Sequence, residues 1–420
     1  MKTLVVERSL PRFAAARLAS SFGSGRGAGF GPLRLVEHEA PELPGPDWHR
    51  VRPLLSGICG SDLATVDGRS SRYFEELVSF PFVPGHEVVG VVDDGAVDAV
   101  GRPLPPGTRV VLEPVLGCLA RGIDPPCAAC SAGQTGCCQQ VAFGHLRPGL
   151  QTGFCADTGG GWSTAGIVAH ASQIHRVPDT LADVDAVTVE PVACAVHAVV
   201  RAGLRDGEVA AVVGAGTVGL AVTAALSHLA ATGRVPAPAA LLVGARYPTQ
   251  QRHALALGAT AALPADQLGR AVRRQTGSLV VGPESTGGHR LTGGADVVFD
   301  CVGSAASIEE SLAMVRPRGR IVLVGMPSRV HVDLASLWHR EVSLAGAYAY
   351  GNEHVAGQLS PSRTFDLAVE VAAALGTGRL VSAAYPLDRF EEAIAHAGAA
   401  GRRGAVKVVF DLRDTKGRRP

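Results

Sequence analysis

Val209-Ala210-Ala211-Val212-Val213-Gly214-Ala215-Gly216-Thr217-Val218-Gly219-Leu220 runs from an apolar strand into a helix-forming segment through glycines spaced G-x-G-x-x-G. In that setting each glycine has a physical task. Gly214 makes the tight turn, Gly216 lets the backbone approach a pyrophosphate, and Gly219 permits close packing of helix on strand. The helix N-terminus, with Thr217 and Val218 in its first turn, then offers unpaired N–H groups to the anion. Without a strand before it and a helix after it, the same spacing would be only a glycine turn. The run from Val209 to Leu226 is also apolar enough to suggest a membrane span. Glycines at motif spacing divide it instead into a buried strand and a buried helix.

Outward from this turn, residues 181–346 alternate apolar strands with Ala-rich helical stretches. Strands are expected at 209–213, 241–243, 297–299 and 320–324, and helices at 218–229, 249–257 and 307–314. Such alternation implies parallel pairing and a doubly wound α/β sheet. Residues 1–180 read differently, as short strands such as 51–55, 88–92 and 109–112 bounded by Gly, Pro or Asp. From about 347 to 420 a mixed pattern returns, with a last strand at 406–410. Two composition shifts therefore suggest a central domain flanked by two pieces of another. Residues 264–294 read as a loop-rich insertion without a motif.

The strand after the glycine turn ends Val243-Gly244-Ala245-Arg246-Tyr247. An acidic residue at this point would hold a ribose 2′-hydroxyl, as NAD sites require. None is present, and Arg246 can bind a 2′-phosphate in bidentate fashion. NADP is favoured over NAD, with an ordinary solvated arginine as the plainer alternative.

The 39 basic and 38 acidic residues nearly cancel, so no charge excess argues for nucleic acid or an anionic membrane. Residues 1–30 lack the apolar core of a secretory signal. The Arg12-to-Arg17 stretch only weakly mimics a transit peptide, and a cytoplasmic location is expected. Nine cysteines in such a chain point to metal or catalysis before disulfides. Cys118, Cys127, Cys130 and Cys138 supply four thiolates within one Gly- and Pro-rich lobe, spanning about 113–140. Four soft donors suit a closed tetrahedral Zn²⁺. Cys137 could replace its neighbour Cys138, and Asp124 is a weaker candidate than Cys118.

Three further motifs stand in order: Gly57-Ile58-Cys59-Gly60-Ser61-Asp62, Pro84-Gly85-His86-Glu87 and Glu190-Pro191-Val192-Ala193-Cys194. Each is unremarkable alone. Together with Gly107-Thr108-Arg109-Val110, with Asp300-Cys301-Val302-Gly303 and with Arg318-Gly319-Arg320, they resemble the zinc-containing medium-chain dehydrogenase/reductase superfamily, the alcohol and polyol dehydrogenases. The resemblance covers about residues 30–412. It implies a GroES-like β-rich catalytic domain at 1–180, a Rossmann nucleotide-binding domain at 181–346, and a return to the catalytic domain at 347–420. It implies a zinc-dependent oxidoreductase that moves a hydride between NADP(H) or NAD(H) and a small alcohol or polyol, or its aldehyde or ketone.

By the same resemblance Cys59 and His86 are ligands of a catalytic zinc, Ser61 is the first hydroxyl of a proton relay, and Glu87 is a carboxylate beside the metal. The third ligand is Glu190 if the polyol type holds, or Cys194 one helical turn further on. Val302 and Gly303 join Gly214, Gly216, Thr217, Val218, Gly219 and Arg246 as cofactor contacts. Ala64 stands where liver-type enzymes carry a relay histidine, which leaves the onward proton route open. A homodimer or homotetramer is implied by resemblance alone. His145, His170, His175 and His197 read as packing or surface residues, and Tyr73-Phe74 as pocket-lining or core. Two alternatives stand beside this reading: a metal-free reductase of the same superfamily acting on activated C=C bonds, and a non-catalytic nucleotide-binding protein.

Overall fold

The computed structural model describes residues 1–282 and 290–413. Two compact units emerge, one formed by residues 1–190 and 376–420, the other by residues 191–375.

In the second unit, six parallel strands among the described residues form one sheet. Its order is Ala261–Pro264, Ala240–Ala245, Val209–Val213, Ala295–Asp300, Val315–Leu323 and Ser343–Gly346. The first strand in sequence lies at the centre and the order reverses beside it, the doubly wound arrangement. All five residues of the central strand are buried, because helices cover both faces of a parallel sheet. Val209, Ala211 and Val213 pack with Leu268, Val272, Ile308 and Leu312. The helix Thr217–Ala231 continues directly from the glycine turn, and nine of its residues are buried.

The insertion expected to be loop-rich contains a helix, Leu268–Thr276, closed by Gly277 in the left-handed region. Its buried Leu268, Ala271 and Val272 keep helical spacing, a signal masked in the sequence by three flanking arginines. Residues 283–289 of that insertion lie outside the described residues. The unit also runs past the expected boundary at 346. Residues 364–375 form a helix that packs on Thr217–Ala231, which draws the segment into the second unit.

The first unit is built on a sheet in which Trp48–Gly57 pairs with Val88–Val92, with Ile167–His170 and with Lys407–Asp411. The C-terminal strand therefore returns to the N-terminal sheet. Between the paired strands Lys2–Val6 and Leu33–Glu37 lie a helix, Leu10–Ser20, and a glycine-rich turn. Asp67, fully buried, accepts the N–H groups of Gly25 and Gly27 and so fixes that turn.

Candidate functional site

The strand Trp48–Gly57 delivers Cys59 to the N-terminus of a short helix, Gly60–Val66. Asp62 accepts the Cys59 N–H at 2.9 Å through Oδ2 and so anchors the cap. His86 and Glu87 arrive from the segment that leads into the adjacent strand, Val88–Val92. That segment is tightly held: Gly85 has φ +95°, and a Cβ there would lie 2.4 Å from the Trp162 ring. Gly57 leaves the volume that the Glu87 carboxylate fills, since a Cβ at 57 would lie 1.7 Å from Glu87 Oε2. The two small residues are thus what allow the motif side chains to converge.

One donor atom each from Cys59, His86 and Glu87 lies within 4.8 Å of the others. His86 Nδ1 faces Asp62 Oδ1 at 3.6 Å, and neither atom has a hydrogen-bond partner among the described residues. Burial pushes the His86 imidazole down, yet Asp62 and Cys59 hold it well above its ordinary value. The pocket therefore favours a positive charge at this point. Lys407 supplies another: its ammonium is buried, pairs with Glu87 Oε2, and donates to the Ile58 carbonyl at 3.2 Å. Burial pulls that ammonium down, while Glu87, Cys59 and Glu190 raise it above the usual lysine value.

Glu87 joins Cys59 and His86 within the 4.8 Å group, and Glu190 does not. His86 and Glu87 are consecutive residues on a rigid segment, whereas Glu190 comes from a separate helix, Val189–Ala202. Glu190 is nonetheless buried and near enough to act on Lys407. Cys194 stands half-buried on that helix, in the part counted with the second unit. Ser61 is half-buried in the first turn of the helix that Cys59 caps. Sequence reasoning quoted Asp62 without assigning it a role and missed Lys407 altogether. The Asp three residues after a ligand cysteine was a usable capping signal. No local signal marks Lys407.

The lobe cysteines form a second cluster. Donor atoms of Cys118, Cys127, Cys130 and Cys138 all lie within 4.8 Å of one another. Cys118 Sγ and Cys138 Sγ are 3.7 Å apart, against roughly 3.8 Å for the edge of a tetrahedron with Zn–S bonds of about 2.3 Å. Each sulfur accepts a backbone N–H, from Cys127, Gln139, Cys118 and Gln140 in turn, and Cys127 takes a further one from Cys130. Burial pushes the Cys127 thiol up, but N–H groups of Gln139 and Cys130 outweigh it and bring the thiol down to about 6. Burial and neighbouring sulfurs push Cys130 and Cys138 up. Four sulfurs gathered at this spacing form a donor set that fits Zn²⁺. Cys137 is exposed and outside the cluster, as is Asp124.

In the second unit the glycine turn has distinct demands at each position. Gly214 has φ +89°, and a Cβ at Gly219 would lie 1.8 Å from the Gly214 carbonyl oxygen. At Gly216 a Cβ would meet nothing within 4 Å, so no neighbouring protein atom requires glycine there. Open space at the uncapped N-terminus of a 15-residue helix is what a close-approaching phosphate needs. Asp300 accepts the N–H groups of Val302 and Gly303 and the Ser307 hydroxyl, which shapes the adjoining loop. Arg246 follows the strand Ala240–Ala245 and is exposed.

The remaining candidates have local explanations. His170 binds Ser172 at 2.8 Å, His175 faces Glu113 at 3.2 Å, and His197 binds Glu353 at 2.7 Å. His145 is exposed and meets Trp48 edge-on. Tyr73 and Phe74 stack edge to face at 5.2 Å, with Tyr73 largely exposed.

A family model described as "Alcohol dehydrogenase GroES-like domain" matches residues 45–179, and one described as "Zinc-binding dehydrogenase" matches 239–361. A putative D-xylulose reductase of Rhizobium meliloti is 30% identical over 365 residues, covering 85% of this chain and 89% of the relative. Sorbitol dehydrogenase of Bacillus subtilis is 27% identical, with 84% and 89% covered. Among solved structures, a putative zinc-binding dehydrogenase from Sinorhizobium meliloti bound to NADP matches with a TM-score of 0.64. It is 25% identical, with 90% of this chain and 95% of that one covered. Galactitol-1-phosphate dehydrogenase from Escherichia coli shares the fold, with a TM-score of 0.68 at 20% identity over 98% of this chain and 100% of that one. The chain belongs to the zinc-containing medium-chain dehydrogenase/reductase superfamily and is an oxidoreductase.

Proposed function

We propose that the protein is an NADP-preferring, zinc-dependent polyol dehydrogenase that interconverts a small secondary alcohol and its ketone. The observation that carries this reading is the convergence of Cys59, His86 and Glu87, with two orphaned buried polar atoms, His86 Nδ1 and Asp62 Oδ1, beside them. The names of the relatives, D-xylulose reductase and sorbitol dehydrogenase, supply the polyol class.

Zinc and NADP, when bound, supply a Lewis acid for the substrate oxygen and a two-electron hydride acceptor. Cys59 and His86 would hold the metal, with Glu87 or Glu190 as the carboxylate ligand. Asp62 Oδ1, 3.6 Å from His86 Nδ1, favours a proton on that nitrogen by its charge, which would leave Nε2 for the cation. Ser61 Oγ takes the proton released from the substrate hydroxyl and passes it towards solvent. Lys407 keeps one carboxylate oxygen of Glu87 occupied, which would leave the other for a cation. Cys118, Cys127, Cys130 and Cys138 would hold a second zinc with a structural task.

Gly214, Gly216 and Gly219, the N–H groups of Thr217 and Val218, and the loop at Val302 and Gly303 would hold the dinucleotide. Arg246 would select the 2′-phosphate, and the NADP-bound relative supports that preference. A location in the cytoplasm and a homodimeric or homotetrameric state complete the reading. Among the described residues no helix is long and apolar enough to cross a membrane.

The test is metal analysis of purified protein together with NADP⁺ and NAD⁺ reduction on a panel of sorbitol, xylitol, ribitol and simple secondary alcohols. Two zinc ions per chain with NADP⁺-linked polyol oxidation are expected. Full turnover after removal of the ion held by Cys59 and His86 would overturn the zinc mechanism and favour the metal-free alternative.

A further inference from the structure

The turn that leaves Cys118 carries a fully buried arginine, Arg121. Its backbone N–H bonds to the carbonyls of Gly117 and Cys118, which ties it directly to the first lobe cysteine. The guanidinium donates to five carbonyls: Leu116 at 3.0 Å, Phe143 at 2.9 Å, Leu146 at 3.3 Å, Arg147 at 3.4 Å, and Gly149. These acceptors satisfy its hydrogen bonds but bring no formal negative charge. Asp157, a carboxylate that acts on it, is already engaged by Arg147 through Nε at 2.6 Å and the main chain at 2.7 Å. The other groups acting on Arg121 are Cys155, Cys138 and Cys118. Burial pushes the Cys155 thiol up, which keeps it neutral. An isolated buried charge is costly, and such charges are found paired. Four thiolates around one divalent ion carry two excess negative charges, and Cys118 and Cys138 are among the groups whose charge acts on this buried guanidinium.

We propose that Arg121 is the internal counter-cation of the four-cysteine site: its buried guanidinium offsets the surplus charge of a tetrathiolate holding a divalent ion and thereby slows loss of that ion. The proposal rests on zinc occupying the cysteine lobe. Arg121 is a positioning and charge-balancing residue there, and its five carbonyl bonds hold the charge in place. Ion retention and burial of the arginine then support each other, because either charge alone would be left uncompensated.

The experiment uses the full chain in a Cys59→Ser background, which leaves the lobe as the intended ion site. Zinc release to a chromogenic chelator is timed for this parent, for Arg121→Met, for Arg121→Lys and for Asp157→Asn. Thiolate-to-cobalt charge-transfer absorbance of the Co²⁺-loaded proteins provides a second readout. Release from Arg121→Met is expected to be about tenfold faster than from the parent, as for loss of one opposite charge at intermediate dielectric. Arg121→Lys, which keeps the charge and loses the fork, stays within about threefold of the parent on the same grounds. Asp157→Asn removes a competing anion and slows release about twofold, a sign that a purely mechanical clamp would not produce.

Equal release from the Lys and Met variants would overturn the charge role, as would a Met variant no faster than the parent. Should Arg121→Met fail to fold, unchanged or faster release from Asp157→Asn overturns it on its own. A parent with no lobe ion and no cobalt–thiolate band would instead remove the zinc reading, and the inference with it.

Discussion

Lys407→Met removes an ammonium that is 2% exposed and leaves Glu87, 1% exposed, without its ion-pair partner. Loss of one member of a buried pair costs about 3–5 kcal/mol, most of it the desolvated charge left behind. The Ile58 carbonyl also loses its 3.2 Å donor, a smaller cost of about 1 kcal/mol. In the metal-free protein the full penalty applies. With a cation held by Cys59 and His86, Glu87 regains a counter-charge beside it, so part of the penalty is recovered. For a unit of this size, 3–5 kcal/mol corresponds to a fall in Tm of roughly 6–20 °C. Calorimetric melts of wild type and Lys407→Met, each stripped and zinc-loaded, measure both states. The stripped variant should fall furthest, with a gap of at least about 2 kcal/mol between stripped and loaded penalties. Equal losses in the two states would refute the argument that metal and ammonium share the Glu87 carboxylate. The pH dependence has a fixed sign. The folded pKa of Lys407 is raised, so its contribution is complete through neutral pH and disappears only as pH climbs through that raised value.

Other outcomes follow from single contacts. Gly216→Ala, with open space for its Cβ, should leave Tm within a few degrees of wild type while NADP⁺ affinity falls about tenfold, by calorimetric titration. Gly219→Ala, whose Cβ would strike the Gly214 carbonyl, should lower stability by about 2 kcal/mol or more; a Tm equal to that of Gly216→Ala would contradict the packing assignment. Arg246→Asp should lower kcat/KM for NADP⁺ by about ten- to a hundredfold and spare NAD⁺, as steady-state kinetics would show. Cys130→Ser should reduce bound zinc from two ions to one; retention of both would exclude the lobe as a four-thiolate site.

Much of this architecture could be read locally. The strands at 88–92, 109–112 and 209–213 lie where the apolar runs place them. The glycine spacing at 214, 216 and 219 foretold the turn because steric demands at a glycine act over a few residues. The helix at 268–276 went unread because its buried Leu268, Ala271 and Val272 are diluted by Arg270, Arg273 and Arg274. The helix at 10–20, with Ala16 and Ser20 buried, has too narrow an apolar stripe to announce itself.

At the sites, the chain alone determined which donor atoms exist: the thiols, the imidazole, the candidate carboxylates and the phosphate turn. Only tertiary structure put the sulfur of Cys138 rather than that of Cys137 beside the other three, gathered Glu87 with Cys59 and His86, and drew Lys407 and Arg121 inside. The reason is physical. Steric and hydrogen-bonding preferences of the backbone act between near neighbours in sequence, whereas charge balance in a buried site depends on distance in space. Lys407 meets the Ile58 carbonyl across 349 positions of chain, a separation over which no local pattern can carry information.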